Sequence, residues 1–198
     1  MPKPFVKLQE AKDAISFPDF HSDDLLEIAL TDPCTVNEMG LTPQEQSQRK
    51  GEYRRLAYLG DSIIDAVLAD YLYRNRPELS HEDFDDYRQE LVDRLALGDR
   101  AIDLGLHLFS SSWNRVNRKS PSEEPGVWGE MFEAVVGVLF LDADRDFDKV
   151  ARWVCERFLS EAIEIYEDDS TLVTGSDLAE MYGLPPSFGI YYSTSDGD

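Results

Sequence analysis

From Gly51 to Tyr73 the residues Leu59, Ile63, Ile64, Val67, Leu68, Tyr71 and Leu72 return largely at spacings of three and four. That spacing predicts one long helix with a single apolar face, ended by Asn75, Arg76 and Pro77. Such a face has to be buried against other elements, and the rest of the chain supplies mainly helices for it. A short helix is expected across Asp23 to Leu30, after the polar start Ser22, Asp23 and Asp24. A second long stretch runs from Ser80 to about Leu106, with Ser80 and Asp83 as a capping pair and Gly98 and Gly105 as bends or ends. Val127 to Leu141 is nearly all apolar, and Phe147 to Ile165 repeats with Phe147, Ala151, Val154, Cys155 and Phe158 on one face. No strand pattern persists and no repeat is visible, so the expected class is all-α.

Between these helices the chain reads as loop. Residues 1–20 are mixed and read as a loose arm. Residues 31–49 are polar, with Pro33, Gly40 and Pro43 breaking regularity. Residues 110–126, SSSWNRVNRKSPSEEPG, form an irregular segment with a tight basic cluster of Arg115, Arg118 and Lys119. From Asp168 to Asp198 the chain is rich in Ser, Asp, Gly and Pro, the composition of a partly ordered tail. The expected division is a domain over 20–165 and an acidic tail over 166–198. At 198 residues the chain is long enough to build a core without a disulfide or a structural metal. Cys34 and Cys155 have no metal-site spacing and read as reduced thiols of an intracellular, cytoplasmic protein. The first thirty residues hold no apolar core of signal-peptide type, and no run approaches the length of a membrane span.

Charge narrows the choice of function. Forty Asp and Glu against 19 Lys and Arg give a formal net charge of -21. Such a surface repels phosphate chains on average, because affinity for nucleic acid comes largely from counterions released by basic groups. A nucleic-acid enzyme with this charge needs divalent cations to bridge its acids to phosphate. A solubility adaptation is the other explanation of the excess.

Two stretches place carboxylates within apolar helices, where an unpaired charge is costly. The first is RLAYLGDS, residues 55–62, with Asp61 and, one turn later, Asp65. The second is WGEMFEAVVG, residues 128–137, with Glu130 and Glu133 three apart on one face. Acids so arranged suit Mg²⁺ or Mn²⁺, hard ions that take oxygen ligands and keep several waters. They equally suit a polar seam paired with Arg54, Arg55 or Arg88. Spacing alone leaves both open. His21, His81 and His107 are scattered and read as structural or surface groups, and Trp113 reads as packing or as a platform for a base.

Four segments in order resemble the ribonuclease III family. RRLAYLGDSII, residues 54–64, is similar to its RLEFLGD signature, and LLEIALTDP, 25–33, to the ALTHPS segment before it. YRQELVDRLALGDRAIDLGL, 87–106, resembles the arginine-containing helix and the one after it. GEMFEAVVGVLFLDAD, 129–144, resembles the closing ADxFEALIGAIYLD stretch. The agreement covers roughly residues 22–160. It implies a ribonuclease III-like helical catalytic domain that dimerises through its signature helices and hydrolyses double-stranded or structured RNA with Mg²⁺ or Mn²⁺. Carried over position by position, Asp61, Glu130 and Glu133 are the catalytic and metal-holding acids. Tyr58 is the aromatic of the dimer interface, and Arg115, Arg118 and Lys119 contact RNA phosphates.

Two positions depart from the family pattern: Ala57 stands where a metal-binding glutamate is usual, and Arg54 where another glutamate is. The compact Mini-III class also has an alanine-tyrosine pair before its glycine-aspartate, and a basic loop like NRVNRKS, 114–120. The chain has no room for a separate double-stranded RNA-binding domain after Ile165, which again resembles that class. Two functions follow from the resemblance: a metal-dependent endoribonuclease, or a catalytically degenerate homodimer that keeps the fold as an RNA-associated or protein-interaction module.

Overall fold

The computed structural model describes residues 6–113, 125–160, 162–164 and 166–167. Met1–Leu159 form one compact unit and Ser160–Asp198 a second, whose described residues are helical. Among the described residues the first unit has seven α-helices: α1 (Leu8–Ile15), α2 (Asp23–Ala29), α3 (Pro43–Asn75), α4 (His81–Leu91), α5 (Arg94–Asp103), α6 (Pro125–Asp142) and α7 (Phe147–Val154). Short 3₁₀ turns lie at Thr35–Glu38 and Leu106–Phe109, and a π-helical turn, Cys155–Leu159, continues α7. No strand occurs among the described residues, in agreement with the all-α expectation.

α6 is the axis of the unit. Met131, Phe132, Ala134, Val135, Val136, Val138 and Leu139 are all buried, since α3 packs along one side of this helix and α5 along another. A helix apolar on every side is stable only when surrounded. α3 turns Ile63, Ile64, Val67, Leu68 and Leu72 inward, as its periodicity predicts; Leu56 joins them, whereas Leu59 and Tyr71, expected on the same face, are only half-buried. Trp153 and Phe158 stack around Phe132 and close the far end of the core.

Several boundaries differ from the sequence reading. α3 begins at Pro43, eight residues ahead of the predicted start. Proline is a breaker inside a helix, but in its first turn the missing N–H removes no bond. Thr42 and Glu45 complete a capping box there. The segment read as one stretch from Ser80 to Leu106 is two helices. The Ser80–Asp83 capping box starts α4 as expected, but the break falls at Val92 and Asp93, where Asp93 caps α5 by accepting from the N–H groups of Leu95 and Ala96. Gly98, expected as a bend, lies buried inside α5, whereas Gly105 does end the segment, at a φ of 69°. No side-chain cap bond is made by Ser22; its own N–H and that of His21 donate to Asp142 Oδ1 at the end of α6.

Residues 8–17 are not a loose arm. Ala11, Ile15 and Phe17 are buried, the Ile15 carbonyl accepts a bond of 2.8 Å from Trp153 Nε1, and the Lys7 N–H donates to the Phe109 carbonyl. Trp113 packs edge-on to His107, with ring centroids 4.8 Å apart, and His107 is itself buried. Both cysteines are free thiols. Among the described residues no helix is long and apolar enough to cross a membrane. The basic cluster of 115–119 and the tail of 168–198 lie outside the described residues.

Candidate active site

The acids of the two motifs meet because glycines let backbones touch. At Gly60 of α3, an added Cβ would stand 1.7 Å from the carbonyl oxygen of Glu133, and at Gly137 of α6 one would stand 2.3 Å from that of Leu56. Only residues without a side chain fit this crossing. Asp61 follows Gly60 directly, so the contact that joins the helices also sets Asp61 beside Glu133. A second close approach brings in α5. A Cβ at Gly129 would lie 2.0 Å from the Arg94 carbonyl oxygen, which holds the start of α5 against α6 beside Glu130 and Glu133.

These contacts frame a cleft of about 780 Å³ lined by Asp61, Glu130 and Glu133, by the arginines Arg54, Arg88 and Arg94, and by Ala57 and Tyr58. Glu133 is only 4% exposed. Burial pushes its carboxyl up to about 7; Arg94 opposes the rise, and Asp61, Glu130 and Asp65 add to it. Its nearest ion-pair contact is Arg94 Nε, 3.9 Å from Oε1. Asp61 is also raised, first by burial and then by Asp65, against the pull of Arg88 and Arg94. Asp65 itself is paired: Arg88 donates to its two oxygens at 3.0 and 2.7 Å, a bidentate contact that raises the Arg88 pKa. Burial and the charges of Glu130, Asp32 and Glu133 push the buried Tyr53 phenol well up.

The cleft therefore gathers Asp61, Glu130 and Glu133 as the sequence reading expects, with Tyr58 at its edge and 76% exposed. Of the arginines offered as partners for a polar seam, Arg88 pairs with Asp65, whereas Arg54 lines the cleft and makes no ion pair among the described residues. Arg115, Arg118 and Lys119 lie outside the described residues. Sequence reasoning missed Arg94, as well as Asp85, Gln89 and Asp93 of the cleft wall. Arg94 follows an N-cap aspartate on a different helix, and no spacing in the chain ties it to Glu133.

Among the described residues, no three histidine, cysteine or acidic side chains are gathered as they stand into a group that would hold a metal ion. The donor set nonetheless fits a hard divalent cation. All three acids bear oxygen on one cleft, and a positive charge there offsets both the burial of the Glu133 carboxylate and the repulsion that Asp61, Glu130 and Asp65 add. A magnesium-like ion retains several waters, so direct bonds to few carboxylates suffice.

Comparison with known proteins agrees with this geometry. The Ribonuclease III domain family matches residues 54–144. "Ribonuclease 3 1" of Nostoc sp. (strain PCC 7120) is 33% identical over 132 residues, which cover 66% of this chain and 54% of that protein. "Ribonuclease 3" of Ligilactobacillus salivarius is 26% identical over 162 residues, covering 82% and 67%. The chain thus spans about half the length of several curated relatives it matches. In fold it is similar to the nuclease domain of ribonuclease III from Campylobacter jejuni, with a TM-score of 0.55 at 21% identity over 77% of this chain and 99% of that one. Motif order, helical architecture and sequence relatives agree with the match of residues 54–144 to the Ribonuclease III domain family.

Proposed function

We propose that the protein is a divalent-metal-dependent endoribonuclease that cuts double-stranded or structured RNA in the cytoplasm as a homodimer. The observation that carries this reading is Glu133: a buried carboxyl beside Asp61 and Glu130, raised first by its burial and further by neighbours of its own sign, in a cleft rimmed by arginines. A fold keeps so costly an arrangement only where the charge is used.

Asp61, Glu130 and Glu133 are the residues that would hold Mg²⁺ or Mn²⁺, whose chemistry when bound is to polarise a phosphodiester and to supply hydroxide from water near neutral pH. The protein's part is to position the RNA. Arg88 is fixed by Asp65, and Arg54 offers the cleft a guanidinium that has no carboxylate partner among the described residues; both suit phosphate. Arg115, Arg118 and Lys119 would add backbone contacts without reading bases. For the dimer, Tyr58 and Tyr73 bound an exposed stripe on α3 whose middle is Ser62, Ala66 and Ala69, small residues that let a second helix come close. The pair Ala57-Tyr58 supports a place near the compact Mini-III class.

A second reading, a non-catalytic relative that keeps the fold, is favoured by Ala57 and Arg54 in the cleft wall. The two separate on one experiment: long RNA duplexes incubated with the purified chain over a range of Mg²⁺ and Mn²⁺, beside Glu133→Gln, with sedimentation to read assembly. Wild type is expected to cut, with weaker RNA binding at low salt and a shallower loss of it as salt rises than a basic protein shows, because few cations release counterions and salt screens the general repulsion. Glu133→Gln should cut at least about a hundredfold more slowly, since even outer partners of a metal ligand are worth 10 to 100-fold. Duplexes left intact by a folded, dimeric wild type establish the second reading, and a chain that sediments only as a monomer removes the homodimer.

A further inference from the structure

We propose that Arg94 is a built-in counter-cation of the acidic cleft, which occupies the neighbourhood of Glu133 before a divalent ion arrives and competes with that ion for it. The inference rests on the metal-dependent reading above and concerns a residue outside the acidic motifs.

Its basis is the way Arg94 is seated. It is the first residue of α5, directly after the Asp93 cap, and its backbone carbonyl is pressed against Gly129. From there its stem runs along the start of α6. A Cβ at Gly126 would meet Arg94 Cδ at 3.7 Å and Cγ at 3.9 Å, and one at Gly129 would meet Cγ at 3.0 Å. Two glycines thus leave a shallow track for the aliphatic part of the side chain, and the track ends with Nε 3.9 Å from Glu133 Oε1.

The same geometry makes the contact replaceable. At 3.9 Å the pair falls short of a hydrogen bond, and the Arg94 side chain is 59% exposed while that of Glu133 is 6% exposed. The arginine can swing to water, whereas the glutamate is fixed inside. Arg88 differs in this respect: it is bound at both ends of its fork to Asp65 and is not available as a partner for Glu133. Of the three cleft arginines, Arg94 alone makes an ion pair with one of the three motif acids among the described residues. A unit charge within about 6 Å of a dication changes its binding on the order of tenfold even at the dielectric constant of water.

The test is Mn²⁺ binding to the full chain, followed by electron paramagnetic resonance of free Mn²⁺ and by the thermal shift that Mn²⁺ produces, in wild type, Arg94→Gln and Arg88→Gln. Arg94→Gln should bind Mn²⁺ on the order of tenfold more tightly. Its metal-free form should melt lower than wild type at pH 8, so that its Mn²⁺-induced shift is larger on both counts. Arg94→Lys, which keeps the charge, should return the affinity towards wild type. Equal or weaker Mn²⁺ binding by a folded Arg94→Gln overturns the role of Arg94 and leaves the enzyme reading standing. Absence of Mn²⁺ binding from every form at millimolar metal overturns both. A gain in Arg88→Gln as large as that in Arg94→Gln shows a general effect of cleft charge and overturns the specific role of Arg94.

Discussion

Two buried polar regions of this domain are built on opposite terms. Behind α2, Asp32, Thr35 and Ser111 form a closed set. The Asp32 N–H donates to Ser111 Oγ at 2.9 Å, the hydroxyls of Thr35 and Ser111 share a bond of 2.6 Å, and the Ser111 N–H donates to the Leu30 carbonyl at 2.9 Å. Asp32 also accepts from the Cys34 N–H and from the Ser112 hydroxyl. At the crossing of α3 and α6, Glu133 is as deeply buried but faces acids, with an arginine just out of hydrogen-bond reach. A satisfied polar set pins one loop to another and has no capacity left to bind anything. An unsatisfied one costs stability and keeps a binding capacity in reserve. The contrast separates structural polarity from functional polarity without reference to any relative.

The strongest way to break the contrast is to force the crossing apart. Gly60→Ala sets a methyl group where the Glu133 carbonyl stands, at 1.7 Å, and neither backbone can yield without unpacking α6. The expected cost is at least about 3 kcal/mol, the upper end for overpacking, or about 10 °C in Tm for a domain of this size. Thermal unfolding of the variant measures it, and the Asp32 set should survive until the global transition.

Next in size is the proton. The Glu133 pKa is higher in the folded chain, about 7, than in the unfolded one, near the ordinary glutamate value of 4.5. Folding therefore favours the protonated form: the stability this group contributes is fully present below about pH 4.5 and is lost as pH rises through about 7. Metal-free protein should gain stability as pH falls from 8 towards 5, by roughly 3 kcal/mol at most from this residue. Glu133→Gln should remove most of that slope and be the more stable form at pH 8. Denaturant titrations at pH 5 and pH 8 decide it, and a slope unchanged in the variant would assign the effect to other groups. A divalent ion competes with the same proton, so Mn²⁺ binding should tighten over this window as pH rises.

The smallest effect sharpens the other side. Ser111→Ala leaves the buried Asp32 N–H without its acceptor and should cost about 1 to 3 kcal/mol. The sign is opposite to that of Glu133→Gln at pH 8. Mn²⁺ affinity and RNA cleavage should not change, since Ser111 touches no part of the cleft.

What was legible in the chain follows the same division. Periodicity and caps are local, so the long helix, the Ser80–Asp83 start and the apolar helix around Glu133 were readable. The acids Asp61, Glu130 and Glu133 stood out because a carboxylate inside an apolar face breaks a pattern. Pro43 misled because a proline marks a break or a beginning according to its position, and the deciding signal was Thr42 with Glu45. Gly98 has the composition of a bend but sits inside a helix, and the true break, at Val92 and Asp93, is marked by a capping side chain. Residues 8–17 were hidden because their partners, Phe109 and Trp153, lie far along the chain. Arg94 was hidden for the same reason: its neighbourhood with Glu133 is made by a helix contact that no spacing records.

The tie between Trp153 and Ile15 sets a schedule for a chain made from one end. The two residues are 138 apart, so α1 has no indole to hold it until α7 has been synthesised. At about 5 to 20 residues per second, that interval is roughly seven to thirty seconds. Throughout it Ala11, Ile15 and Phe17 have no finished core to enter. The domain can close only when its last helix arrives, and a nascent chain stalled before Trp153 should present this first segment to proteases and chaperones.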